Sequence, residues 1–249
     1  MLSVANVYLS RVSYWGCIWY TSTRMKNPWI LIGVITVVLF GGAIWYSSVA
    51  SERNNDGVEV FEHIMGNKDA AVKLVEYSDL QCPACASFHP VVQEVLTEYG
   101  DQIRFEYKHF PLPIHPYAMQ AAMAAEAAGQ QGKFYEFHDL LFENQPTWSN
   151  APAPNAIFVQ YADQLELDTT LFRRHMNAPV LRDKVRSELA AGRELGITGT
   201  PTFFLNGQRM EFDTYQSFVS QIAFAVDPTA AASTTAPATQ GAPSVRFGL

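Results

Sequence analysis

The stretch Glu76-Tyr77-Ser78-Asp79-Leu80-Gln81-Cys82-Pro83-Ala84-Cys85 connects two segments with different hydrophobic patterns. The segment Val72–Tyr77, which leads into it, is rich in β-branched residues and predicts a buried strand. Beyond it, apolar residues recur at helical spacing from Phe88 to Tyr99, which predicts a helix that ends at Gly100. The two cysteines therefore lie where a loop leaves a strand and enters a helix.

Cys82 and Cys85 are spaced for reversible disulfide chemistry. Backbone N–H groups and the dipole at a helix start favour a thiolate, so Cys82 is expected to be a nucleophile, and Cys85 can close a disulfide with it. Two alternatives are half of a zinc site and a purely structural disulfide. Zinc needs further ligands, but the third cysteine, Cys17, lies across a predicted membrane and the six histidines show no H-x-x-x-H spacing. A disulfide across so short a loop removes little unfolded-state entropy. The sequence thus predicts no metal site and no cofactor beyond the redox-active disulfide.

The remaining elements predict a mixed α/β domain with a helical insertion. A second strand, Ile103–Tyr107, follows the first helix and is expected to run parallel to the first strand. Residues from about 116 to 195 have helical periods, interrupted by a proline-containing loop near residues 146–154. Two strands joined by Asn206-Gly207, the strongest short hairpin signal, and a closing helix up to Val226 complete the domain. The order predicts a four-stranded sheet with helices.

Three motifs together resemble the DsbA-like thiol-disulfide oxidoreductases of the thioredoxin superfamily. They are Glu76–Cys85 as quoted, Lys108-His109-Phe110-Pro111-Leu112, and Gly199-Thr200-Pro201-Thr202-Phe203-Phe204-Leu205-Asn206-Gly207. The resemblance covers about residues 66–226. It implies a thioredoxin fold with a helical domain inserted at about 116–195, which agrees with the element order.

The resemblance also implies roles for individual residues. Cys82 would be the attacking cysteine and Cys85 the buried resolving one. Glu76 would be a buried acid that handles the Cys85 proton; its alternative is an exposed glutamate on an edge strand.

Four further residues would contact substrate. Pro201 would be a cis-proline beside the disulfide, and Thr200 would offer backbone hydrogen bonds to an extended substrate strand. Pro83 and Ala84 would line the same groove.

Because no histidine lies between the cysteines, the pKa of Cys82 is expected in the upper half of the range of about 3.5 to 7.5, which predicts a moderate oxidant.

Several other residues receive less specific interpretations. Lys108 and His109 are expected either at the active-site rim or as a solvated pair. His89 is expected on a helix surface. The apolar stripe of Phe134, Phe137, Leu140 and Leu141 is expected in the core.

An uncharged segment, Asn27–Ser51, is long enough to span a membrane. Basic residues precede it and acidic residues follow it, so the N-terminus is expected in the cytoplasm and the large domain outside. The alternative is a signal segment cleaved after Ala50; both export the domain. Residues 1–26 are expected to be a short cytoplasmic N-terminus. The alternative is that translation begins at Met25, in which case Cys17 is absent from the mature protein.

Composition excludes some functional classes. The chain has 249 residues, a net charge of −7 and 16% charged residues, and residues 52–249 carry all 24 acidic side chains. An acidic body of this kind is not expected to bind nucleic acid.

Two segments outside the domain have no predicted fold. Residues 52–65 are expected to be a linker and residues 227–249 a disordered tail.

The sequence therefore favours a membrane-anchored, extracytoplasmic oxidase that donates the Cys82–Cys85 disulfide to reduced exported proteins. A quinone-linked membrane protein would reoxidise it, and it would act as a monomer. The alternatives are a disulfide isomerase or reductase of the same fold and a redox-silent peptide-binding or chaperone module.

Overall fold

The computed structural model describes residues 27–55 and 57–229. By its internal contacts the chain divides into two units, one up to Ser48 and one from Val49 onward. Residues 1–26 and 230–249, with the predicted cytoplasmic N-terminus, Cys17 and most of the predicted tail, lie outside the described residues.

The first unit contains most of helix α1, Pro28–Asn55. Within α1, Trp29–Ala50 is a stretch of 22 residues with a mean hydropathy of 2.1. By length and composition this helix can cross a membrane, a condition that a signal segment also meets. The predicted membrane segment therefore falls within a single long apolar helix.

The second unit is built on a mixed five-stranded sheet with the order β1-β3-β2-β4-β5. Strand β2 runs parallel to β3 and antiparallel to β4, so it lies at the centre of the sheet. The Asn206-Gly207 turn has φ angles of 51° and 80°, which suit these two residue types. The strands are β1 His63–Gly66, β2 Val72–Ser78, β3 Ile103–His109, β4 Thr202–Leu205 and β5 Gln208–Arg209.

Strand β1 corrects the prediction of four strands and of a linker over residues 52–65. Helix α1 continues to Asn55, and His63–Gly66 pairs antiparallel with β3, with His63 opposite Tyr107. Four residues are too few for an alternating pattern to stand out from the sequence. The last part of the presumed linker is thus an edge strand of the sheet.

Helices cover the sheet and form the insertion between β3 and β4, as predicted. One further short helix, α5, occupies the region for which the prolines predicted only a loop; Pro146 lies in its first turn, where the missing N–H group costs nothing. The helices of the second unit are α2 Pro83–Tyr99, α3 Ala118–Gly129, α4 Phe134–Glu143, α5 Gln145–Ser149, α6 Asn155–Gln164, α7 Thr169–His175, α8 Pro179–Glu194 and α9 Tyr215–Val226.

Aromatic side chains fill the interior of the domain. The Phe88 ring on α2 lies 5.0 Å from that of Phe218 on α9, with Phe203 of β4 beside both. The stripe on α4 is a core stripe as predicted, since Phe137 and Leu141 are completely buried. These contacts hold α2, which carries the cysteine pair, against the sheet.

A buried ionic cluster joins the sheet to the insertion. The Glu126 carboxylate on α3 contacts His63 Nε2 at 2.8 Å, His109 Nε2 at 3.0 Å and the Lys184 ammonium. His109 is 1% exposed, so it is neither a rim residue nor part of a solvated pair; neighbouring Lys108 is partly buried and contacts Glu188 and Glu106.

The proton affinity of Glu126 reflects this cluster. Burial acts to raise its pKa, but the hydrogen bonds and charges of His109 and His63 outweigh burial and hold the pKa well below its usual range. Glu126 is therefore ionised in the folded domain.

Replacing Glu126 with Gln should lower the free energy of unfolding by about 1.5 to 3 kcal/mol, because it removes the charged acceptor of buried hydrogen bonds and leaves Glu188, at 3.3 Å, as the carboxylate beside Lys184. Urea unfolding at pH 7 measures this, with exposed Glu136→Gln as a control expected to change stability by less than about 1 kcal/mol. The pKa of Glu126 in the folded domain lies below its unfolded value of about 4.3. The ionised carboxylate therefore stabilises the fold above a pH of about 4.3, and this stabilisation is lost as the pH falls through the folded-state pKa. Equal loss in both variants would contradict the role of the cluster.

Candidate active site

Cys82 occupies the position just before helix α2. Its backbone is extended, with φ −74° and ψ 122°, and Pro83 begins the helix. The Cys82 N–H donates to the carbonyl of Asp79 at 2.9 Å, which closes a turn between β2 and α2. The structure thus places the cysteine pair at the strand-to-helix junction that the sequence predicted.

Asp79 fixes this loop and was missed by the sequence reasoning. Its buried carboxylate accepts hydrogen bonds from Gln81 N and Leu112 N, both at 2.8 Å, and contacts His115 Nδ1 at 2.7 Å. The bond from Gln81 N is a common turn pattern in which an aspartate accepts from the amide two residues ahead. The contacts with Leu112 and His115, which follow β3, have no such signal in the sequence. Asp79 therefore joins the two loops at this end of the sheet.

The helical insertion also holds the loop. The Gln145 carboxamide of α5 donates to the carbonyls of Leu80 at 2.8 Å and Cys82 at 3.0 Å. From the other side, the Gln81 side-chain oxygen accepts from Tyr117 N at 2.7 Å. The insertion therefore determines the position of Cys82, a role that no sequence pattern indicated.

The Cys82 sulfur has a polar environment although only 7% of the residue is exposed. Both cysteines are free thiols, and the Cys82 thiol donates to the carbonyl of Thr200 at 3.5 Å. A hydrogen bond from the Cys85 thiol, assisted by the Thr200 hydroxyl and the N–H groups of Cys85 and Ala84, outweighs burial and lowers the pKa of Cys82 to about 5.

This pKa corrects the expectation of a value in the upper half of the range. That expectation rested on the helix start alone, whereas the largest cause is the Cys85 hydrogen bond. Cys85 itself is completely buried. Burial, followed by the hydrogen bond and charge of Cys82 and then the charge of Glu76, raises the pKa of Cys85 well above its usual value. The two thiols therefore differ strongly in acidity.

Glu76 is 4% exposed and lies on the central strand β2, so the interpretation as an exposed edge-strand residue is wrong. It is opposite Tyr107 on β3 and Phe203 on β4. Burial raises the pKa of Glu76 to about 7, and a hydrogen bond with the Ser78 hydroxyl acts in the opposite direction. A carboxyl group with this pKa exchanges its proton readily near neutral pH.

The predicted substrate-binding residues surround Cys82. The Thr200–Pro201 peptide bond is cis, and Pro201 is half-buried. Pro83 is exposed and Ala84 is half-buried at the start of α2. The structure brings these residues to one site, and their roles in binding remain predictions.

Two groups of side chains place three potential metal ligands within 4.8 Å of one another: His63, His109 and Glu126, and His89, His138 and Asp139. The second group corrects the prediction for His89, whose side chain is only 10% exposed. Neither group has a signal in the sequence, because the ligands of each come from different elements.

Comparison with known proteins identifies the domain. Residues 59–223 match a family model described as thioredoxin. The chain is 40% identical over 149 residues to "Na(+)/H(+) antiporter NhaA 3" of Salinispora tropica, a match that covers 59% of this chain and 22% of that protein. It is 33% identical over 197 residues to "Na(+)/H(+) antiporter NhaA" of Herminiimonas arsenicoxydans, covering 75% of this chain and 31% of that protein. The chain thus spans between about a fifth and a third of the length of these relatives.

Solved structures show the same fold. A thioredoxin-like oxidoreductase from Silicibacter pomeroyi DSS-3 is 27% identical, with a TM-score of 0.55 over 65% of this chain and 90% of that one. The α-DsbA1 protein of Wolbachia pipientis is 22% identical, with a TM-score of 0.58 over 73% of this chain and 98% of that one. BdbD of Bacillus subtilis is 22% identical, with a TM-score of 0.57 over 68% of this chain and 92% of that one. The chain belongs to the thioredoxin family and has the fold of the DsbA-like thiol-disulfide oxidoreductases.

Proposed function

We propose that this protein is an extracytoplasmic oxidase that donates a Cys82–Cys85 disulfide to reduced exported proteins. The single observation that carries the proposal is the contrast between the two thiols, with the pKa of Cys82 lowered to about 5 and that of Cys85 raised well above its usual value. A stable Cys82 thiolate favours the reduced form of the protein, so its disulfide is a good oxidant.

The size of the effect separates an oxidase from a reductase. At pH 7, a thiolate with a pKa of about 5 is on the order of 2 kcal/mol more favourable than one with the value of about 7 typical of thioredoxin. In a two-electron couple this makes the disulfide about 50 mV more oxidising. The low pKa of Cys82 therefore supports net oxidation of substrate thiols.

The reaction consists of two disulfide exchanges. A substrate thiolate attacks Cys82 Sγ, which forms a mixed disulfide and releases Cys85 as a thiolate. A second substrate thiolate then attacks the substrate sulfur of that bond, so the substrate leaves with a disulfide and Cys82 leaves as a thiolate. The substrate loses two electrons, and the protein is left in its dithiol form.

Glu76 donates a proton to the buried Cys85 thiolate and accepts one from the Cys85 thiol in the reverse direction. When Cys85 is released as a thiolate in an apolar interior, a protonated carboxyl group close by can supply the proton it requires. When the dithiol is reoxidised, the same carboxylate takes that proton as Cys85 attacks a mixed disulfide on Cys82. A pKa of about 7 for Glu76 suits both directions at neutral pH.

Helix α1 would anchor the protein in the membrane, with the domain outside the cytoplasm, and a quinone-linked membrane protein would restore the disulfide.

The fold alone does not distinguish an oxidase from an isomerase, since a similar structure from Novosphingobium aromaticivorans is described as a protein-disulfide isomerase. The transport activity named for the curated relatives belongs to much longer proteins and is not part of the proposal.

The redox potential of the Cys82–Cys85 couple, together with oxidative refolding and insulin reduction, tests the oxidase activity. We expect a potential above the value of about −270 mV of thioredoxin, rapid oxidation of a reduced substrate and weak insulin reduction. A potential at or below that of thioredoxin would indicate a reductase, and inactivity in both assays would indicate a redox-silent binding module.

Replacing Cys85 with Ala should trap substrates on Cys82, because the variant can form a mixed disulfide but has no second thiol to resolve it. Mass spectrometry of adducts formed with a disulfide-bonded peptide measures this. Cys82→Ala should form far fewer adducts because Cys85 is buried. Adducts that accumulate equally on the two variants would contradict the assigned roles.

Replacing Glu76 with Gln should slow closure of the Cys82–Cys85 disulfide by on the order of 10²-fold, because the variant lacks the proton acceptor. In the wild type the rate should rise with pH through about 7, since the carboxyl group must be ionised to accept a proton. Stopped-flow measurement of disulfide closure against pH tests for this inflection, with Glu94→Gln on the exposed side of α2 as the control. An inflection that persists in Glu76→Gln would assign it to another group.

Replacing Ala84 with His should lower the pKa of Cys82 below about 5, because an imidazolium near the sulfur adds to the groups that already favour the thiolate. The disulfide should become more oxidising by about 30 mV for each 1.4 kcal/mol gained. Thiolate absorbance titration and equilibration with glutathione measure the two quantities, and Ala84→Gln controls for side-chain size. A higher pKa or a lower potential in Ala84→His would show that local charge does not control Cys82.

A further inference from the structure

Three polar side chains converge between α2 and α4, one helical turn beyond Cys85. His89 comes from α2, and His138 and Asp139 come from α4. His138 Nδ1 lies 3.1 Å from Asp139 Oδ1, and His89 Nε2 lies 3.4 Å from the same oxygen. All three ligand atoms lie within 4.8 Å of one another. The oxidase reaction proposed above does not use these three side chains.

The spacing of these atoms fits a tetrahedral metal ion. Ligands at about 2.0 to 2.1 Å from a zinc ion are about 3.3 Å apart along each edge of the tetrahedron. Hydrogen bonding accounts for the cluster less well, because the 3.4 Å separation of His89 Nε2 from the carboxylate exceeds the usual range of about 2.7 to 3.2 Å. The separations of 3.1 Å and 3.4 Å between the imidazole nitrogens and Asp139 Oδ1 both match the edge of such a tetrahedron.

The surroundings suit an ion that binds from solvent. The His89 ring packs against Phe142 at 5.0 Å, and Gln93 Nε2 donates to Asp139 Oδ1 at 3.2 Å, so two ligands have neighbours that orient them. The Asp139 side chain is 35% exposed, which leaves one side of the cluster open to water. Water can therefore complete the coordination.

The other candidate group shows what excludes a metal. In the cluster of His63, His109 and Glu126, the Lys184 ammonium already contacts the carboxylate oxygen that a metal would require. Within the described part of the chain, the groups that contact Asp139 are two imidazoles and an amide, none of them a lysine or arginine. Of the two groups, the one on α2 and α4 is the one whose carboxylate has no lysine or arginine contact among the described residues.

We propose that His89, His138 and Asp139 bind a divalent transition-metal ion, with Zn²⁺ as the best match to two imidazoles and one carboxylate. Magnesium and calcium prefer sites made of oxygen ligands, whereas imidazole suits zinc, copper and nickel. The sequence predicted no metal site because its ligands lie far apart along the chain. The ion would connect the helix that carries the redox cysteines to the helical insertion.

Metal binding is tested on the full chain in detergent with the Cys82–Cys85 disulfide closed, so that the two thiols cannot bind the ion. Isothermal titration should give one Zn²⁺ per chain. Bound Co²⁺ should show the intense visible bands of a tetrahedral site without the near-ultraviolet charge-transfer band of a thiolate ligand. His89→Ala and Asp139→Asn should each weaken Zn²⁺ binding by about tenfold or more, and Glu143→Gln, an exposed acid on α4, should not.

Absence of saturable Zn²⁺ binding to the oxidised wild-type protein would overturn the proposal, as would equal affinity in His89→Ala. A thiolate band in the Co²⁺ spectrum would assign the ion to cysteine instead. The wild-type Co²⁺ spectrum decides the question if a variant fails to fold. Because the metal site and the oxidase reaction use different side chains, loss of metal binding with a normal redox potential would overturn this inference alone.

Discussion

The hydrogen bond from the Cys85 thiol to the Cys82 sulfur is the interaction on which the difference in acidity between the two cysteines depends. It is the largest cause of the low pKa of Cys82, and it contributes to the high pKa of Cys85. The bond requires one sulfur at the start of a helix and the other one turn later, fully buried. That burial follows because Phe88 packs α2 against Phe203 of β4, the strand next to the central strand β2. The fold thus creates a difference in acidity between two chemically identical groups.

The helical insertion contributes directly to this geometry. Gln145 from α5 donates to the carbonyl of Cys82, and the backbone of Tyr117 donates to the side chain of Gln81. Asp79 connects the same loop to the segment that enters the insertion through Leu112 and His115. Movement of the insertion would therefore change the position of Cys82 relative to Thr200 and Pro201. This coupling makes the insertion part of the active-site framework as well as a cover for the sheet.

The elements of the domain could be predicted from the sequence because their signals are local. Hydrophobic periodicity, the Asn206-Gly207 turn and the cysteine spacing each act within a few residues, and the structure has the elements they predict. What could not be predicted depends on contacts between distant segments. Strand β1 exists because four residues pair with β3, and the burial of His109 and His89 follows from α3 and α4 packing over them. The pKa of Cys82 was misjudged for the same reason, since a helix start is visible in a sequence but a hydrogen bond between side chains is not.

Two buried glutamates show how their partners set the pKa of a buried carboxylate in this domain. Glu126 contacts two imidazoles and an ammonium, and these partners hold its pKa below the usual range, so its charge is fixed. For Glu76, the nearby Ser78 hydroxyl compensates burial only in part, so the pKa of Glu76 rises to about 7 and its proton is exchangeable. Burial is nearly equal for the two residues, and the number of nitrogen donors decides the outcome. A nitrogen donor placed beside Glu76 would fix its charge as well, and in the proposed mechanism Cys85 would then have no carboxyl group with which to exchange its proton.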